Sequence, residues 1–569
     1  MRTLPKSVRE TARVGLPRAG AHISFLKRAT NRLSLLAISL LIMAPGSSGV
    51  RAGDDLVKSF ASGSGIGSVG TSVSEYSDDK EEDGPQALNS GDDGKIYVLD
   101  QINGRVLSFD PSDPGAPPRS FELPHDLQPT DLVARGDTIF VWDGNIHALE
   151  ATGPRNGLET TLTETRSGEP VDDFTRSAFA QMGSQVADEA SGRGLPASRS
   201  PGHSRQFVAT RGKGAVIVDV TLAAHDASAV LEVRSKDSQK PFVRLQIAVP
   251  DRLGSIAFLE IDKTGRMFVL AENIPSNLLD RASAFVVRYS PAGAIEGVYE
   301  LPLSRSMALS RRFVTISPDG NVYFLRSQRN SADIIGLGFR PTPNAKFVST
   351  GGERRNNERP ALTNRNGMNM AVGPLTRQRI IQTAYDFEGV RWHLSPSNYG
   401  PERDQLCTGF EGRIRRPLYL IGRLGQDVRS VPYCWGCEGS LGEFVSRMQR
   451  GALAGNVCTR DNVRADVAGV DCSSFVCAAW GLSTHFTTSV IPSIARPLTN
   501  PWDLLPGDAL DKPGSHVVLF LGFTPDRMVE VMEASPGACR GRVCRNIYPL
   551  ASLLEYGFIP LRYRALLSQ

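Results

Sequence analysis

Short apolar runs, each preceded by a turn dipeptide, recur along the middle of the chain. Asp93-Gly94 precedes an apolar run at 95–99, and Asn103-Gly104 precedes another at 105–109. Asp-Gly and Asn-Gly between alternating apolar residues are strong hairpin signals, because glycine adopts the positive φ that tight hairpin turns require. The pattern therefore predicts a series of short antiparallel strands. Similar runs follow at 139–142, 145–149, 266–270, 284–289 and 321–325.

The repeated unit of a turn, a strand and a second strand resembles the blades of NHL-like and quinoprotein-like β-propellers. At roughly 40–50 residues a blade, the resemblance implies five or six blades in residues 91–345. A β-sandwich is the alternative fold. Residues 165–205, rich in Ser, Gly, Arg and Pro, predict a long loop within this region. The histidines of the β-rich region 91–345 are isolated from one another in the sequence. We therefore interpret this half of the chain as a binding or spacing module with a glycan or protein ligand.

The beginning of the chain has the order of a secretory signal peptide, which we assign to residues 1–52. Basic residues precede an apolar run at 33–44, and the small residue Ala52 precedes the expected cleavage site. The run has 12 residues, whereas a membrane-spanning helix needs about 20. An uncleaved anchor is the alternative. We expect the mature protein to be secreted or periplasmic, with no membrane contact after cleavage.

Two polar stretches separate the predicted folded regions. Residues 53–90 are rich in Gly, Ser and Asp, and residues 346–375 are rich in Gly, Asn, Arg and Glu. Such stretches bury too little apolar surface to offset the entropy lost on ordering. We therefore interpret both as flexible linkers, and residues 376–569 as a separate C-terminal domain.

Composition excludes several classes of protein. The 569 residues contain 64 Lys and Arg against 60 Asp and Glu, a net charge of +4. So small a charge on so long a chain gives no support to nucleic-acid binding. Hydrophobic residues make up 40%, which is typical of globular proteins. All eight cysteines follow residue 400, where an oxidising compartment would permit disulfides. Cys539 and Cys544 flank a four-residue loop and are candidates for one.

Cys472 has the sequence context of a reactive thiol. Asp471 is a good helix N-cap, and apolar residues at Phe475, Val476 and Ala479 repeat at helical spacing. Cys472 then lies in the first helical turn, where free N–H groups and the helix dipole favour the thiolate. A buried structural cysteine is the alternative.

A histidine and a carboxylate follow on two predicted strands. His516 begins an apolar strand after the turn Pro506-Gly507-Asp508, and Glu533 lies on the next strand. If the two strands form a hairpin around 523–526, His516 lies beside Glu533, and the carboxylate could orient the imidazole as a base for Cys472. A one-residue change of register would turn Glu533 away.

These three segments resemble the NlpC-type cell-wall cysteine peptidases, a papain-like family. Residues 471–476 are similar to its Asp-Cys-Ser-Gly signature, residues 504–522 to its Pro-Gly-Asp and His-Val blocks, and residues 431–437 to its Pro-Tyr-x-Trp-Gly-Gly block. The resemblance covers roughly residues 420–569. It implies an α+β papain-like domain with Cys472 as nucleophile, His516 as base and Glu533 as third residue. Tyr433 would line the site near the oxyanion, together with Ser473, and the main-chain N–H of Cys472 would face the oxyanion.

Four positions depart from the family pattern. Ser474 and Cys437 stand where the family has glycine, and both could reshape the cleft. Glu533 stands where the family more often has His, Asn or Gln. Val518 also replaces a common glycine.

Cys434 and Cys437 form a Cys-x-x-Cys pair, whose alternative interpretations are a redox motif or half a zinc site. No second ligand pair accompanies it in the sequence, so we expect no metal and no cofactor.

The resemblance implies an exported cysteine hydrolase that cleaves amide bonds in peptidoglycan stem peptides, between D-γ-glutamyl and a diamino acid. The chain as a whole is then multidomain, with a mainly β N-terminal region followed by the α+β domain. Two alternatives remain. One is a catalytically inactive cell-envelope binding protein. The other is an amidase or acyltransferase of the same fold with a substrate outside the cell wall.

Overall fold

The computed structural model describes residues 53–71, 83–341, 375–403 and 416–566, with internal gaps at 125–126, 128, 153–158, 165–172, 181–202, 224–225, 305–308, 311, 457–463 and 465. The predicted signal peptide at 1–52 lies outside these residues, as does the predicted linker at 346–375 except for its last residue. All elements described below belong to one compact unit, residues 49–569. None of the described helices is both long and apolar enough to cross a membrane.

The described strands before residue 342 form four sheets, which we divide into five mainly antiparallel units called blades; blades 1 and 2 share an eight-stranded sheet through the parallel pairing of β6 with β10. Strands β1 (Asp55–Ser62) and β2 (Ser68–Val69) belong to blade 5. Blade 1 has β3 (Ala87–Ser90), β4 (Ile96–Asp100), β5 (Arg105–Phe109) and β6 (Arg119–Glu122). Blade 2 has β7 (Asp131–Arg135), β8 (Thr138–Trp142), β9 (Ile146–Thr152) and β10 (Glu159–Glu164). Blade 3 has β11 (His203–Thr210), β12 (Gly214–Leu222), β13 (Ser228–Ser235) and β14 (Val243–Ala248). Blade 4 has β15 (Arg252–Ile261), β16 (Met267–Ile274), β17 (Ser283–Tyr289) and β18 (Ile295–Glu300), with β22 (Arg340–Pro341) at its edge. Blade 5 has β19 (Val314–Ile316), β20 (Val322–Gln328) and β21 (Ser331–Gly336), followed by β1 and β2.

The first strand of each blade contributes to a closed ring. Strand β3 contacts β7, β11 contacts β15, β15 contacts β19, and β19 contacts β3. Between blades 2 and 3, helix α1 (Asp173–Ala180) contacts both β7 and β11. Four-stranded units around a central axis are the arrangement of a β-propeller, whereas a sandwich would stack two sheets. The N-terminal region is therefore mainly β and propeller-like, with five blades.

Blade 5 is completed by strand β1, which lies within the predicted flexible linker at 53–90. Strand β1 pairs antiparallel with β21, from Asp55 opposite Gly336 to Ala61 opposite Ser331, with a shift of register between Leu56 and Lys58. Phe60 is fully buried, and Arg105 donates to the carbonyl oxygens of Ser64, Gly65 and Ser68. The prediction of a linker over 53–90 is wrong for these residues, because backbone pairing and one buried ring order a segment whose composition is polar. Of the predicted loop at 165–205, α1 and the start of β11 are described.

The predicted turn dipeptides occur where strands meet. Gly94 has φ of 80° and Gly104 has φ of 67°, both in the left-handed region that glycine adopts without steric cost. Gly94 lies two residues before the first residue of β4, and Gly104 directly precedes β5. Turn chemistry was therefore a reliable guide to the blades.

The C-terminal region combines one large sheet with several helices. Its helices are α2 (Arg377–Gly389), α3 (Pro396–Tyr399), α4 (Leu441–Gln449), α5 (Cys472–Ala479), α6 (Ile491–Ile494) and α7 (Leu550–Glu555). Short strand pairs are β23 (Arg391–His393) with β24 (Asp427–Arg429), and β25 (Leu453–Ala454) with β26 (Val467–Ala468). The six-stranded sheet contains β27 (Ala495–Pro497), β28 (Ala509–Lys512), β29 (His516–Phe523), β30 (Val529–Ser535), β31 (Arg542–Tyr548) and β32 (Ile559–Tyr563) in the order β27-β32-β28-β29-β30-β31. Short 3-10 helices lie at Gln101–Asn103, Leu418–Leu420 and Pro501–Asp503.

The two faces of the six-stranded sheet belong to different hydrophobic cores. Val517 and Leu519 of β29 pack in a core with residues of α2, α4 and α5, which we call the helix-side core. Val518 and Phe520 of the same strand pack in a core shared with blades 4 and 5, which we call the propeller-side core. Alternation along a strand turns successive side chains to opposite faces. The propeller therefore covers one face of this sheet, and the helices cover the other.

Candidate functional site

Cys472 is the first residue of helix α5. The Asp471 carboxylate accepts a hydrogen bond from the Ser474 N–H at 2.7 Å, and the Asp471 N–H donates to Ser474 Oγ at 2.9 Å. This reciprocal capping fixes the start of the helix, where the helix dipole favours an anion. Cys472 is not disulfide-bonded and is buried, at 1% exposure.

His516 and Glu533 lie side by side, as the predicted hairpin requires. His516 Nε2 is 2.6 Å from Glu533 Oε2, and both side chains are buried. The two strands pair with Leu519 opposite Met532 and Phe520 opposite Val531, and a bulge follows before Gly522. The hairpin turn occupies residues 524–528.

Glu533 keeps its charge despite complete burial. Burial alone would raise its pKa, but hydrogen bonds and the charge of His516, together with bonds from Tyr548 and Asn546, hold the pKa below its usual value. An ionised carboxylate can only accept hydrogen bonds. His516 Nε2 therefore carries a proton and donates a hydrogen bond to Glu533, which leaves Nδ1 as the nitrogen for proton transfer.

Strand pairing brings the start of α5 to the same end of the sheet as His516. Continuing the β29–β30 register sets His516 opposite Ser535, and Ser535 pairs with Arg542. One isolated bridge pairs Arg542 with Pro432, and another pairs Tyr433 with Val470, which lies two residues before Cys472. Helix α5 packs back across β29 and β30. The predicted nucleophile and base thus lie on elements that are in contact. Cys472 packs in the helix-side core, whereas Tyr548 and Phe558, which contact the Glu533–His516 pair, belong to the propeller-side core.

Tyr433 and Ser473, predicted to line the site, are both buried. The Tyr433 N–H donates to the Gly541 carbonyl at 2.7 Å, and the residue belongs to the same core as Cys472. Ser473 Oγ lies 3.1 Å from Asp471 Oδ1 and 2.7 Å from His485 Nε2. Ser473 therefore takes part in holding the helix start.

Three residues near the predicted site were not assigned to it from the sequence. Asn546 and Tyr548 both donate to Glu533 Oε1 at 2.7 Å. They lie two residues apart on β31, a spacing that places both on one face of the sheet. His485, interpreted as a loop histidine, does lie outside regular structure and contacts Ser473. For Asn546 and Tyr548, the sequence signal that could have identified them is two polar side chains spaced two residues apart in a predicted strand.

The described cysteines other than Cys472 and Cys477 form disulfides. Cys539 and Cys544 are joined, as are Cys434 and Cys437. The Gly436 N–H, between the second pair, donates to Asp471 Oδ2 at 3.1 Å. Cys477 is buried, and its sulfur accepts from the Phe486 N–H at 3.4 Å. Among the described residues, no group of three or more His, Cys, Asp or Glu is arranged to hold a metal ion.

No family model matches the chain, and no curated protein matches it. Among solved structures, a streptogramin B lyase aligns over 47% of this chain and 97% of its own at 12% identity, with a TM-score of 0.20. A PQQ-bound aldose sugar dehydrogenase from Streptomyces coelicolor aligns over 47% of this chain and 98% of its own at 10% identity, with a TM-score of 0.24. A glucose dehydrogenase aligns over 45% and 96% at 10% identity, with a TM-score of 0.23. TM-scores this low carry no argument, and the propeller-like arrangement rests on the strand pairing described above.

Proposed function

We propose that the C-terminal domain is a papain-like cysteine hydrolase of the cell envelope, with Cys472 as nucleophile and His516 as base. The observation that carries the proposal is the His516–Glu533 pair, at 2.6 Å, on strands against which the helix of Cys472 packs. The NlpC-type resemblance of the same segments supports peptidoglycan stem peptides as substrate, with the D-γ-glutamyl to diamino acid bond as the site of cleavage. Export by the N-terminal segment would bring the enzyme to that substrate.

The reaction is acyl transfer in two steps. The Cys472 thiolate attacks the amide carbon, and the main-chain N–H of Cys472 stabilises the oxyanion. Protonated His516 gives its Nδ1 proton to the leaving amine, and the C–N bond breaks to leave a thioester. Water, deprotonated by His516, then attacks the thioester, so that the carboxylic acid leaves and the thiol is restored. Glu533 accepts the Nε2–H bond throughout and stabilises the imidazolium.

Purified cell-wall sacculi provide the test. We expect the wild-type protein to release stem-peptide fragments whose masses identify the bond, and Cys472→Ala or His516→Ala to reduce release by at least about a thousandfold. The double variant should be hardly worse than either single variant, because the residues act as a unit. Cys477→Ala is the matched control, since it removes the other free thiol of α5 and should retain activity.

Three outcomes would contradict the proposal in different ways. Wild-type turnover by Cys472→Ala would remove the nucleophile assignment. A reactive Cys472 with no fragments released would favour an amidase or acyltransferase with another substrate. An unreactive Cys472 with sacculus binding but no release would favour an inactive binding protein, and the glycan or protein ligand of the propeller would then carry the function.

A further inference from the structure

The Glu533 carboxylate forms hydrogen bonds with three side chains, and only one of them, His516, has a role in the proposed mechanism. Its Oε2 receives the His516 bond, while its Oε1 accepts from Asn546 Nδ2 and from the Tyr548 hydroxyl, each at 2.7 Å. Both donors lie on β31, which pairs with β30 so that Glu533 lies opposite Cys544. The carboxylate therefore has a donor on each side, and the two on Oε1 define its rotation.

We propose that Asn546 and Tyr548 are positioning residues that keep the Glu533 carboxylate aimed at His516 Nε2. The inference rests on the proposed function and deepens it, because it assigns two further residues to the same site. A buried carboxylate without donors would bind a proton instead of staying charged. With Oε1 occupied twice, Oε2 is the oxygen that remains for the imidazole.

The neutrality of the two donors is what suits them to this role. An arginine in the same place would cancel the charge that Glu533 presents to His516. An amide and a phenol hydroxyl stabilise the carboxylate by hydrogen bonding and leave its net charge in place. That charge favours the imidazolium, and the imidazolium in turn favours the thiolate of Cys472.

Packing fixes both donors. Tyr548 belongs to the propeller-side core, which joins the sheet to blades 4 and 5. Asn546 Nδ2 also lies 3.6 Å from Cys539 Sγ and 3.5 Å from Cys544 Sγ, against the disulfide. Phe558 of the propeller-side core meets the imidazole of His516 edge-on, with ring centroids 6.3 Å apart. Contacts with the propeller therefore fix the position of Tyr548, and contacts with the Cys539–Cys544 disulfide fix that of Asn546.

The test is the pH dependence of Cys472 alkylation by iodoacetamide in the full-length protein, with peptide mass analysis to identify the labelled residue. Tyr548→Phe and Asn546→Leu keep size and remove a donor, and Tyr556→Phe is the matched control, a buried tyrosine of the same core that does not contact Glu533. We expect the midpoint for Tyr548→Phe and Asn546→Leu to move up by about half to one pH unit, a threefold to tenfold lower rate below the midpoint. The midpoint for Tyr556→Phe should stay unchanged.

The outcomes separate this inference from the proposed function. A wild-type thiol that titrates near 8.5, as an ordinary cysteine does, would overturn both. A depressed wild-type midpoint that Tyr548→Phe and Asn546→Leu leave in place would overturn the positioning role alone. A shift in Tyr556→Phe equal to that in Tyr548→Phe would show a general effect of the core and would also overturn it.

Discussion

Two buried glutamates, one in the propeller and one in the C-terminal sheet, have pKa values shifted in opposite directions. Burial, with a smaller contribution from the charge of Asp262, raises the pKa of Glu260 to about 7. Hydrogen bonds from Arg211 and from two backbone N–H groups oppose this shift but do not cancel it. Hydrogen bonds from His516, Tyr548 and Asn546 outweigh burial at Glu533 and lower its pKa. Burial thus sets the direction of the pKa shift at Glu260, whereas the hydrogen-bonding side chains outweigh burial at Glu533.

The two glutamates also differ in what their partners connect. Around the propeller axis, Arg211 bonds Glu260 of blade 4 and carbonyls of Ser90 in blade 1 and Ile316 in blade 5. Arg312 likewise bonds Asp131 of blade 2. The cavity lined by Arg211, Glu260 and Arg312 has a volume of only about 70 Å³. Charged groups near the propeller axis thus join blades, whereas the charged groups at Glu533 join strands β29, β30 and β31 of one sheet.

The largest effect should come from breaking a charge pair on the axis. Arg312 Nε and Nη2 lie 2.8 and 2.9 Å from the Asp131 oxygens, and both side chains are buried. Arg312→Ala leaves a buried carboxylate without its cation, so we expect the free energy of unfolding to fall by about 3–5 kcal/mol in urea titrations. Arg340→Ala, which removes an exposed pair with Glu300, should cost less than about 1 kcal/mol. Equal losses would mean that the axial pair does not join the blades.

A second prediction uses the pH dependence of stability. Glu260 has a folded pKa of about 7 and an ordinary value of 4.5, so between these values the folded state binds more protons than the unfolded state. Its contribution is therefore favourable below about pH 4.5 and is lost as the pH rises to about 7, by up to about 3 kcal/mol. Glu260→Gln should remove that slope from urea unfolding between pH 4.5 and 7. The same slope in both proteins would contradict the raised pKa.

The smallest of the three effects concerns rate and not stability. Glu533→Gln should keep hydrogen bonding and lose charge, so we expect hydrolysis to fall about tenfold, and Glu533→Ala about a hundredfold. Glu530→Ala is the control on the same strand, since Glu530 does not contact His516. Rates on sacculus peptides at fixed pH measure the effect. A neutral Glu533→Ala beside a damaging Glu530→Ala would transfer the orienting role to Glu530.

Local signals predicted the blades and the His516–Glu533 contact, because turn glycines and strand alternation are properties of neighbouring residues. Strand β1 was missed because its partner β21 is far away in the chain, so its pairing has no local pattern. Asn546 and Tyr548 were missed because their role depends on the β30–β31 register. The covering of one sheet face by the propeller was missed for the same reason, since Val518 and Phe520 look like any buried strand residues.

The central claim is that His516 activates Cys472, and the alkylation profile of the native protein tests it most directly. We predict that iodoacetamide labels Cys472 at pH 6 in the wild-type protein and that His516→Ala raises the midpoint toward about 8.5. Cys477, five residues further along the same helix and away from its N-terminal turn, is the internal reference and should react more slowly than Cys472 at pH 6. Identical profiles for the wild-type and His516→Ala proteins, or no labelling of Cys472 before unfolding, would contradict the account.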